Sequence, residues 1–365
     1  MLAYLNNLKE KVDRQIGSDF LKRVILNQGT QGLVNLVHVS LSAMQEEHPP
    51  KVNHLPPCLF IEVTNRCNLS CPTCQLGTDQ AYKGYNKGDL TFDQFKKIID
   101  QVPTLIYVTL QGVGEPLLNK DLTKMIKYCT DKGISTYINT NGTILTETKS
   151  RELIEAGLHN LSISINSFNE TVFAETRSGA SLKKVIENVK RFIEIKKELN
   201  KKRPIVSFRA ILMKETESTM EELIFKSNEL GIDVLYIQLF ISVIADKNLC
   251  DSSLTKEEIQ TFANKIENWK RQVKMGIVTE SFGKSSNNLG QCQLPWFSPN
   301  VTAEGHVTPC CTISNPSILN MGNVFETSFE EIWNSEKFVD FRTGFYKKQP
   351  KACIGCQNYK LTSTK

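Results

Sequence analysis

Short runs of β-branched and apolar residues alternate with helical segments between about residues 58 and 240 of this 365-residue chain. The helical segments include SLKKVIENVKRFIEIKKEL from Ser181 and TMEELIFKSNELG from Thr219, and we expect Gly231 to cap the second one. This alternation predicts repeated βα units around a parallel sheet. The six predicted strands begin at Leu59, Leu105, Ile134, Asn160, Ile205 and Val234.

Six units are two fewer than a full eight-unit barrel contains, so the pattern predicts an α/β fold with a partial TIM-like (β/α)6 barrel over 55–245. The loops that follow the strands should form the active face. For residues 1–54 we predict a helical N-terminal extension, because apolar positions recur every three or four residues until two Pro-Pro pairs end the pattern. The pattern of 246–290 predicts a bridging helix followed by a linker. The pattern of 291–365 predicts a small cysteine-rich domain.

Charge and composition narrow the possible locations and partners. The net charge of +5 is spread thinly along the chain, so we expect no nucleic acid partner. The N-terminus carries charges where a secretory signal needs an apolar core, which predicts a cytoplasmic protein that does not span a membrane. The N-terminal helix could lie on a membrane surface, but we expect it to pack on its own protein. Eleven cysteines in a reducing compartment favour metal binding or chemistry over disulfides.

Three cysteines, Cys67, Cys71 and Cys74, lie in one short loop after the first predicted strand, in TNRCNLSCPTCQLG. Thiolates are soft ligands, and three of them can hold three irons of a 4Fe-4S cluster while the fourth iron stays open. The alternative is a structural zinc site, which normally needs a fourth ligand. The nearest candidate for that ligand is His54, which precedes the strand.

The spacing Cys-x3-Cys-x2-Cys in CNLSCPTC, placed after the first strand, resembles the radical S-adenosylmethionine superfamily. The resemblance implies that the open iron binds S-adenosylmethionine, and that reductive cleavage yields a 5′-deoxyadenosyl radical. It also implies an electron donor such as a flavodoxin or ferredoxin. By the same resemblance we expect cofactor contacts from Gly114, Glu115 and Pro116 in QGVGEP, Asn141 in NTNG, Ser164 and Asn166 after the fourth strand, and Arg177 in FAETRSG.

These fragments resemble family positions with different roles. The resemblance implies that the QGVGEP loop contacts the methionine ammonium group and that Asn141, Ser164 and Asn166 lie near the ribose. It implies that Arg177 pairs with the cofactor carboxylate, a group that a guanidinium can bind in bidentate fashion. Taken without the resemblance, QGVGEP is an ordinary tight turn and Arg177 an ordinary surface cation.

A second group of cysteines lies near the C-terminus. Cys292 and Cys310 flank PWFSPNVTAEGHVTP, which predicts a β-hairpin with its turn at Glu304-Gly305. Together with VTPCC and CIGC, the phrase GNVFETSFEEIWNSEKFVDFR resembles the SPASM or twitch extension of the superfamily, which carries auxiliary clusters. Seven cysteines would suit two clusters and only five occur, so we expect one auxiliary 4Fe-4S cluster on Cys292, Cys310, Cys353 and Cys356. A zinc ribbon closed by the same four cysteines is the alternative.

The remaining cysteines have other predicted roles. Cys311, beside a predicted ligand, is either an inert buried thiol or a hydrogen-atom donor that quenches a substrate radical. We expect ordinary thiols at Cys58, Cys129 and Cys250, because these cysteines lack metal-binding spacing.

The function hypothesis on this resemblance is an oxidoreductase or epimerase that acts on a small molecule, namely dehydrogenation or epimerisation of a sugar- or cyclitol-like metabolite. Arg209 and Glu62 are candidates for an assisting base. One alternative is a maturase that crosslinks or epimerises a ribosomal peptide. Another is a non-catalytic binding protein stabilised by metal.

Overall fold

The computed structural model describes residues 29–30, 32–42, 45, 48–74, 76, 88–240, 252–280, 292–347, 350–354 and 356. Residues 32–42 are helical and lie within the segment 1–54 that we expected to be a helical extension. The earlier part of that extension, Cys250 and most of the predicted linker lie outside the described residues.

One ten-stranded sheet organises the fold. In chain order its strands are Cys58–Ile61 (β1), Tyr107–Leu110 (β2), Ser135–Thr140 (β3), Asn160–Ser164 (β4), Ile205–Leu212 (β5), Val234–Leu239 (β6), Gly276–Glu280 (β7), Asn300–Val301 (β8), His306–Thr308 (β9) and Gly322–Asn323 (β10). They lie side by side in the order β10-β9-β8-β1-β2-β3-β4-β5-β6-β7. Strands β1 to β7 run parallel, each paired with its neighbour along the chain. The C-terminal ends of these strands therefore lie at one edge, as in a barrel.

Amphipathic helices cover the sheet, and their apolar faces form the core with the strands. Leu182–Glu198 buries Val185, Val189 and Phe192 at helical spacing, each worth about 2 kcal/mol of transfer free energy. Among the described residues, no helix combines the length and the apolar character that a membrane-spanning segment needs. The other helices are Phe92–Asp100, Leu122–Asp131, Glu147–Glu155, Glu170–Thr176, Lys214–Glu217, Met220–Glu229, Lys256–Lys270, Leu294–Phe297, Phe329–Trp333 and Glu336–Lys347, with 3-10 turns at Pro116–Leu118 and Lys351–Cys353.

The six predicted strands are all present, and the structure adds a seventh parallel strand. Gly276–Glu280 pairs with β6 inside the segment that we expected to be a bridge and linker. The sequence GIVTE has the β-branched residues of a strand, but five residues among polar neighbours give a weak signal. Gly231 follows the helix Met220–Glu229 with a φ of 78°, as expected of a glycine that caps a helix.

The C-terminal region extends the same sheet. The predicted hairpin is confirmed: β8 pairs antiparallel with β9, and the turn contains Gly305 at a φ of 86°. Strand β8 also pairs in parallel with β1, with Phe60 opposite Asn300. The strand that leads into the first cysteine loop is therefore hydrogen-bonded directly to the C-terminal region.

The proline-rich segment before β1 is anchored in the C-terminal region. The carbonyl of Pro50 accepts from Arg342 Nη1 at 3.1 Å, and the carbonyl of His54 accepts from Trp333 Nε1 at 2.8 Å. Arg342 is fully buried, with its guanidinium carbon 4.1 Å from the centre of the Trp333 ring. The first Pro-Pro pair thus contacts a folded surface contributed by residues nearly three hundred positions away.

Candidate active site

The loop after β1 carries Cys67, Cys71 and Cys74. Cys71 is buried and the other two are half-buried. The backbone N–H of Cys74 donates to the carbonyl of Cys71 at 3.0 Å, which closes a turn between them. Burial raises the pKa of Cys67 and of Cys71, and neighbouring thiols of the trio raise both further. The three sulfur atoms therefore lie within electrostatic range of one another.

Asn141, directly after β3, joins the cysteine loop to the sheet. Its Nδ2 donates to Asn68 Oδ1 at 2.9 Å and lies 4.0 Å from Cys67 Sγ. Its Oδ1 accepts from the backbone N–H and the hydroxyl of Thr143, at 2.9 and 2.6 Å. Asn68 Nδ2 in turn donates to Thr143 Oγ1 at 2.8 Å. This closed network holds the first cysteine against the end of β3.

The QGVGEP loop packs on the backbone just before Cys67. The N–H of Glu115 donates to the carbonyl of Arg66 at 2.8 Å. A Cβ on Gly114 would lie 2.4 Å from Thr64 O and 2.6 Å from Arg66 O. Both neighbours are backbone atoms that cannot rotate away, so this approach requires glycine.

The Glu115 carboxylate ties the same loop to β3. Its Oε1 accepts from the Leu117 N–H at 3.1 Å and from the Thr140 hydroxyl at 2.7 Å, and its Oε2 accepts from the Asn141 N–H at 2.7 Å. Burial raises the pKa of this carboxyl, and the hydrogen bonds oppose that rise. A carboxylate offers about four acceptor positions, so one can still receive an ammonium donor. Pro116 begins a 3-10 turn, where its missing N–H is not needed.

Arg177 and Asn166 supply buried donors that suit an anionic or hydroxylated ligand. The Arg177 guanidinium hydrogen-bonds the thiol of Cys71 and thereby lowers its pKa, against the larger effect of burial. Arg177 Nε and Asn166 Nδ2 are buried and have no hydrogen-bond partner among the described residues. Unpaired buried donors are costly, and a carboxylate or a ribose hydroxyl would satisfy them. These residues fit S-adenosylmethionine beside the cysteine loop.

Polar side chains along the inner face of β3 and β4 continue this site. Ser164 Oγ accepts from Asn139 Nδ2 at 3.1 Å. Tyr137, two residues before Asn139 and therefore on the same face of β3, has a buried hydroxyl without a partner among the described residues. Sequence reasoning missed both Tyr137 and Asn139, although period-two alternation along β3 could have placed them with Asn141.

The four predicted ligands in the C-terminal region come from separate segments and lie within electrostatic range of one another. Cys292 precedes a short helix, Cys310 follows β9, and the Cys356 N–H donates to the Cys353 carbonyl at 3.1 Å. Burial raises the pKa of Cys292, and the other three thiols raise it further. Burial likewise raises the pKa of Cys310 to about 11 and that of Cys353 to about 12. Such thiols become ligands when a metal replaces their protons.

Cys311 is a half-buried residue beside Cys310. Burial of its thiol, with a contribution from Cys310, raises its pKa to about 12. It is therefore a neutral S–H at physiological pH.

The other candidates lie in distinct surroundings. The Arg209 guanidinium stacks on the ring of Tyr236, 4.9 Å from its centre. The His54 ring stacks on Phe297, and burial lowers its pKa to about 4. Cys58 and Cys129 are buried thiols with raised pKa values. In the part of the chain that the structure describes, no three Cys, His, Asp or Glu side chains converge as a single metal ion would need.

Comparison with known protein families gives two matches. Residues 61–226 match the family model of the radical SAM superfamily. Residues 292–357 match the model of the SPASM iron-sulfur cluster-binding domain. The two matches contain, respectively, the first cysteine loop and all five C-terminal cysteines.

Curated relatives align with most of the chain. A tungsten-containing aldehyde ferredoxin oxidoreductase cofactor-modifying protein of Pyrococcus furiosus is 24% identical over 320 residues, 78% of this chain and 82% of that protein. A PqqA peptide cyclase of Bradyrhizobium diazoefficiens is 26% identical over 332 residues, 84% of this chain and 83% of that protein.

Solved structures share the fold. Streptococcus suis SuiB bound to its precursor peptide SuiA superposes with a TM-score of 0.66 at 17% identity, over 85% of this chain and 71% of that one. The anSMEcpe structure with bound AdoMet gives 0.63 at 18% identity, over 82% of this chain and 86% of that one. The partial-barrel α/β fold with a C-terminal SPASM domain is thereby confirmed.

Proposed function

The chain belongs to the radical S-adenosylmethionine superfamily and carries a SPASM domain, and from this premise we propose that it modifies a peptide. It is a radical SAM enzyme whose cofactors are S-adenosylmethionine and two 4Fe-4S clusters. When bound, these groups supply an electron and a 5′-deoxyadenosyl radical, which removes a hydrogen atom from a substrate C–H bond. A metal-stabilised protein without catalysis is no longer a candidate.

Cys67, Cys71 and Cys74 hold the first cluster in this proposal, and Cys292, Cys310, Cys353 and Cys356 hold the auxiliary one. The thiols of each group raise one another's pKa, which supports the assignment. Iron analysis of anaerobically reconstituted protein tests it, because two clusters require about eight irons per chain. Replacing either group with alanine should leave about four irons, whereas about one or two zinc ions per chain would contradict the assignment.

The cofactor contacts follow from the donors around the first loop. Arg177 binds the carboxylate of S-adenosylmethionine in this proposal. Its guanidinium hydrogen-bonds Cys71, and its buried Nε has no hydrogen-bond partner among the described residues. The loop with Gly114, Glu115 and Pro116 receives the ammonium group. Asn141, Ser164 and Asn166 line the ribose side. These residues bind and orient the cofactor, and the pocket then excludes water from the reacting atoms.

A peptide substrate is supported by the relation to PqqA peptide cyclases, which extends over 84% of the chain. A sugar- or cyclitol-like substrate, our expectation from the cluster spacing, finds no comparable support among the relatives. The test is anaerobic turnover with peptide mixtures deuterated at carbon, in parallel with deuterated sugars and cyclitols. We expect deuterium in 5′-deoxyadenosine from the peptide mixtures, and transfer from the sugars or cyclitols alone would overturn the proposal.

The net reaction is proposed to be an oxidation, such as a crosslink, or an epimerisation. Cys311 decides between them, since a neutral thiol can return a hydrogen atom to a substrate radical. The thiyl radical that this leaves would take one electron from an external electron carrier and one proton from solvent, which restores the thiol. If it does, turnover in D2O places deuterium on the inverted carbon. Cys311→Ala then stops product formation while 5′-deoxyadenosine still forms, and the control Cys129→Ala does not. Unchanged product from Cys311→Ala would leave oxidation, with a flavodoxin or ferredoxin as the external electron carrier.

A further inference from the structure

Glu62, the residue after β1, is a buried carboxyl between two separate parts of the protein. It is only 2% exposed. Its Oε1 accepts from the N–H of Val113 at 3.3 Å, and its Oε2 accepts from the N–H of Ala303 at 3.3 Å. Val113 belongs to the QGVGEP loop, and Ala303 belongs to the turn of the β8–β9 hairpin. One side chain therefore contacts both the proposed cofactor loop and the SPASM domain.

The packing around this carboxyl is tight on both sides. A Cβ on Gly112 would lie 2.3 Å from Glu62 Cγ, so the loop rests directly on the side chain. On the other side, the backbone N–H of Glu62 donates to the carbonyl of Val301 at 2.9 Å. The hairpin thus contacts both the backbone and the carboxyl of Glu62. Because the interior is closely packed, a shift of the hairpin would displace Glu62 and, through it, the QGVGEP loop.

Both hydrogen-bond donors to the Glu62 carboxyl are uncharged backbone N–H groups. Burial raises its pKa, the two N–H donors lower it and Glu304 in the hairpin raises it, and together they leave the pKa at about 7. Each carboxyl oxygen faces a donor. An amide in its place would turn one acceptor into a donor that confronts an N–H, so replacement by glutamine is not neutral here.

We propose that Glu62 is a positioning residue that sets the QGVGEP loop against the SPASM hairpin, so that affinity for S-adenosylmethionine depends on how the SPASM domain is seated. This inference rests on the proposed role of the loop in cofactor binding. In this role Glu62 acts through its hydrogen bond to Val113 and so through the loop. The SPASM domain then contributes to the binding of S-adenosylmethionine in addition to holding the auxiliary cluster.

The test uses Glu62→Gln and Glu62→Ala in the reconstituted holoenzyme, with Glu304→Gln as the matched control on the same hairpin. Loss of a hydrogen bond to a charged group corresponds to a change of about tenfold. We expect the dissociation constant of S-adenosylmethionine to rise about tenfold in both Glu62 variants and to stay unchanged in Glu304→Gln. Iron content should stay the same. The rate of 5′-deoxyadenosine formation at saturating cofactor should return close to that of the unsubstituted enzyme.

Hydrogen–deuterium exchange supplies a readout independent of activity. Amide exchange should rise together in the peptides that contain Val113 and Ala303 in the Glu62 variants. Unchanged affinity or unchanged exchange in both variants would overturn the positioning role while leaving the proposed function intact. If the unsubstituted holoenzyme with full iron content bound no S-adenosylmethionine, both the proposed function and this inference would fail.

Discussion

Replacing Gly114 with alanine perturbs the cofactor loop at a single carbon atom. The added Cβ would lie 2.4 Å from Thr64 O, and real contacts to backbone oxygen do not come below about 3.0 Å. Relief requires the loop to move away from Arg66, at the expense of the 2.8 Å bond from the Glu115 N–H. Overpacking of this kind typically costs about 1–3 kcal/mol. If the loop alone moves, affinity for S-adenosylmethionine should fall by about 5- to 150-fold.

Gly88→Ala is the matched control. Gly88 also contacts the start of the cysteine loop, since its N–H donates to Asn65 Oδ1 at 2.8 Å, but a Cβ there would meet no atom of the described residues within 4 Å. Anaerobic equilibrium dialysis measures the dissociation constant of S-adenosylmethionine for both variants, with iron content checked in each. Equal affinity of Gly114→Ala and the unsubstituted protein, at full iron content, would refute the assignment of this loop to cofactor binding.

Three further predictions follow from the same contacts. Arg177→Lys keeps the charge but loses the planar fork, so cofactor affinity should fall about tenfold in dialysis; full affinity would count against a carboxylate contact. Because burial raises the pKa of Glu62 from 4.5 to about 7, native protein binds the extra proton between these values. The free energy of unfolding should therefore fall by on the order of 3 kcal/mol as pH rises through this window, and anaerobic unfolding of Glu62→Gln at pH 5 and pH 8 should lack that slope. Arg342→Ala removes three hydrogen bonds to carbonyl groups and a stack on Trp333. We expect a loss of about 3 kcal/mol and early proteolysis of the C-terminal region, and unchanged protease resistance would argue against this anchor.

Local spacing in the sequence was sufficient to predict the cysteine loop, the hairpin turn and the first six strands. Cys67, Cys71 and Cys74 lie on one loop, and the turn at Gly305 depends on its immediate neighbours, so their arrangement is encoded within a few residues. A six-strand βα pattern is similarly local, because each strand and helix carries its own period.

Long-range contacts could not be found in this way. Glu62 meets Ala303 across 241 positions, and Arg342 meets Pro50 across 292. A proline pair predicts where a helix ends but carries no information about the surface on which it lies. Strand β7 was missed for a different reason, since five residues with polar neighbours carry too little pattern to separate a strand from a linker.

The most direct test of the account is formation of 5′-deoxyadenosine. Reconstituted protein is incubated anaerobically with S-adenosylmethionine and dithionite, beside the Cys67/Cys71/Cys74 triple-alanine variant, and the product is followed by chromatography. We predict 5′-deoxyadenosine from the unsubstituted protein and none from the variant. Absence of the product from protein shown to contain both intact clusters would contradict the assignment of radical chemistry to this site.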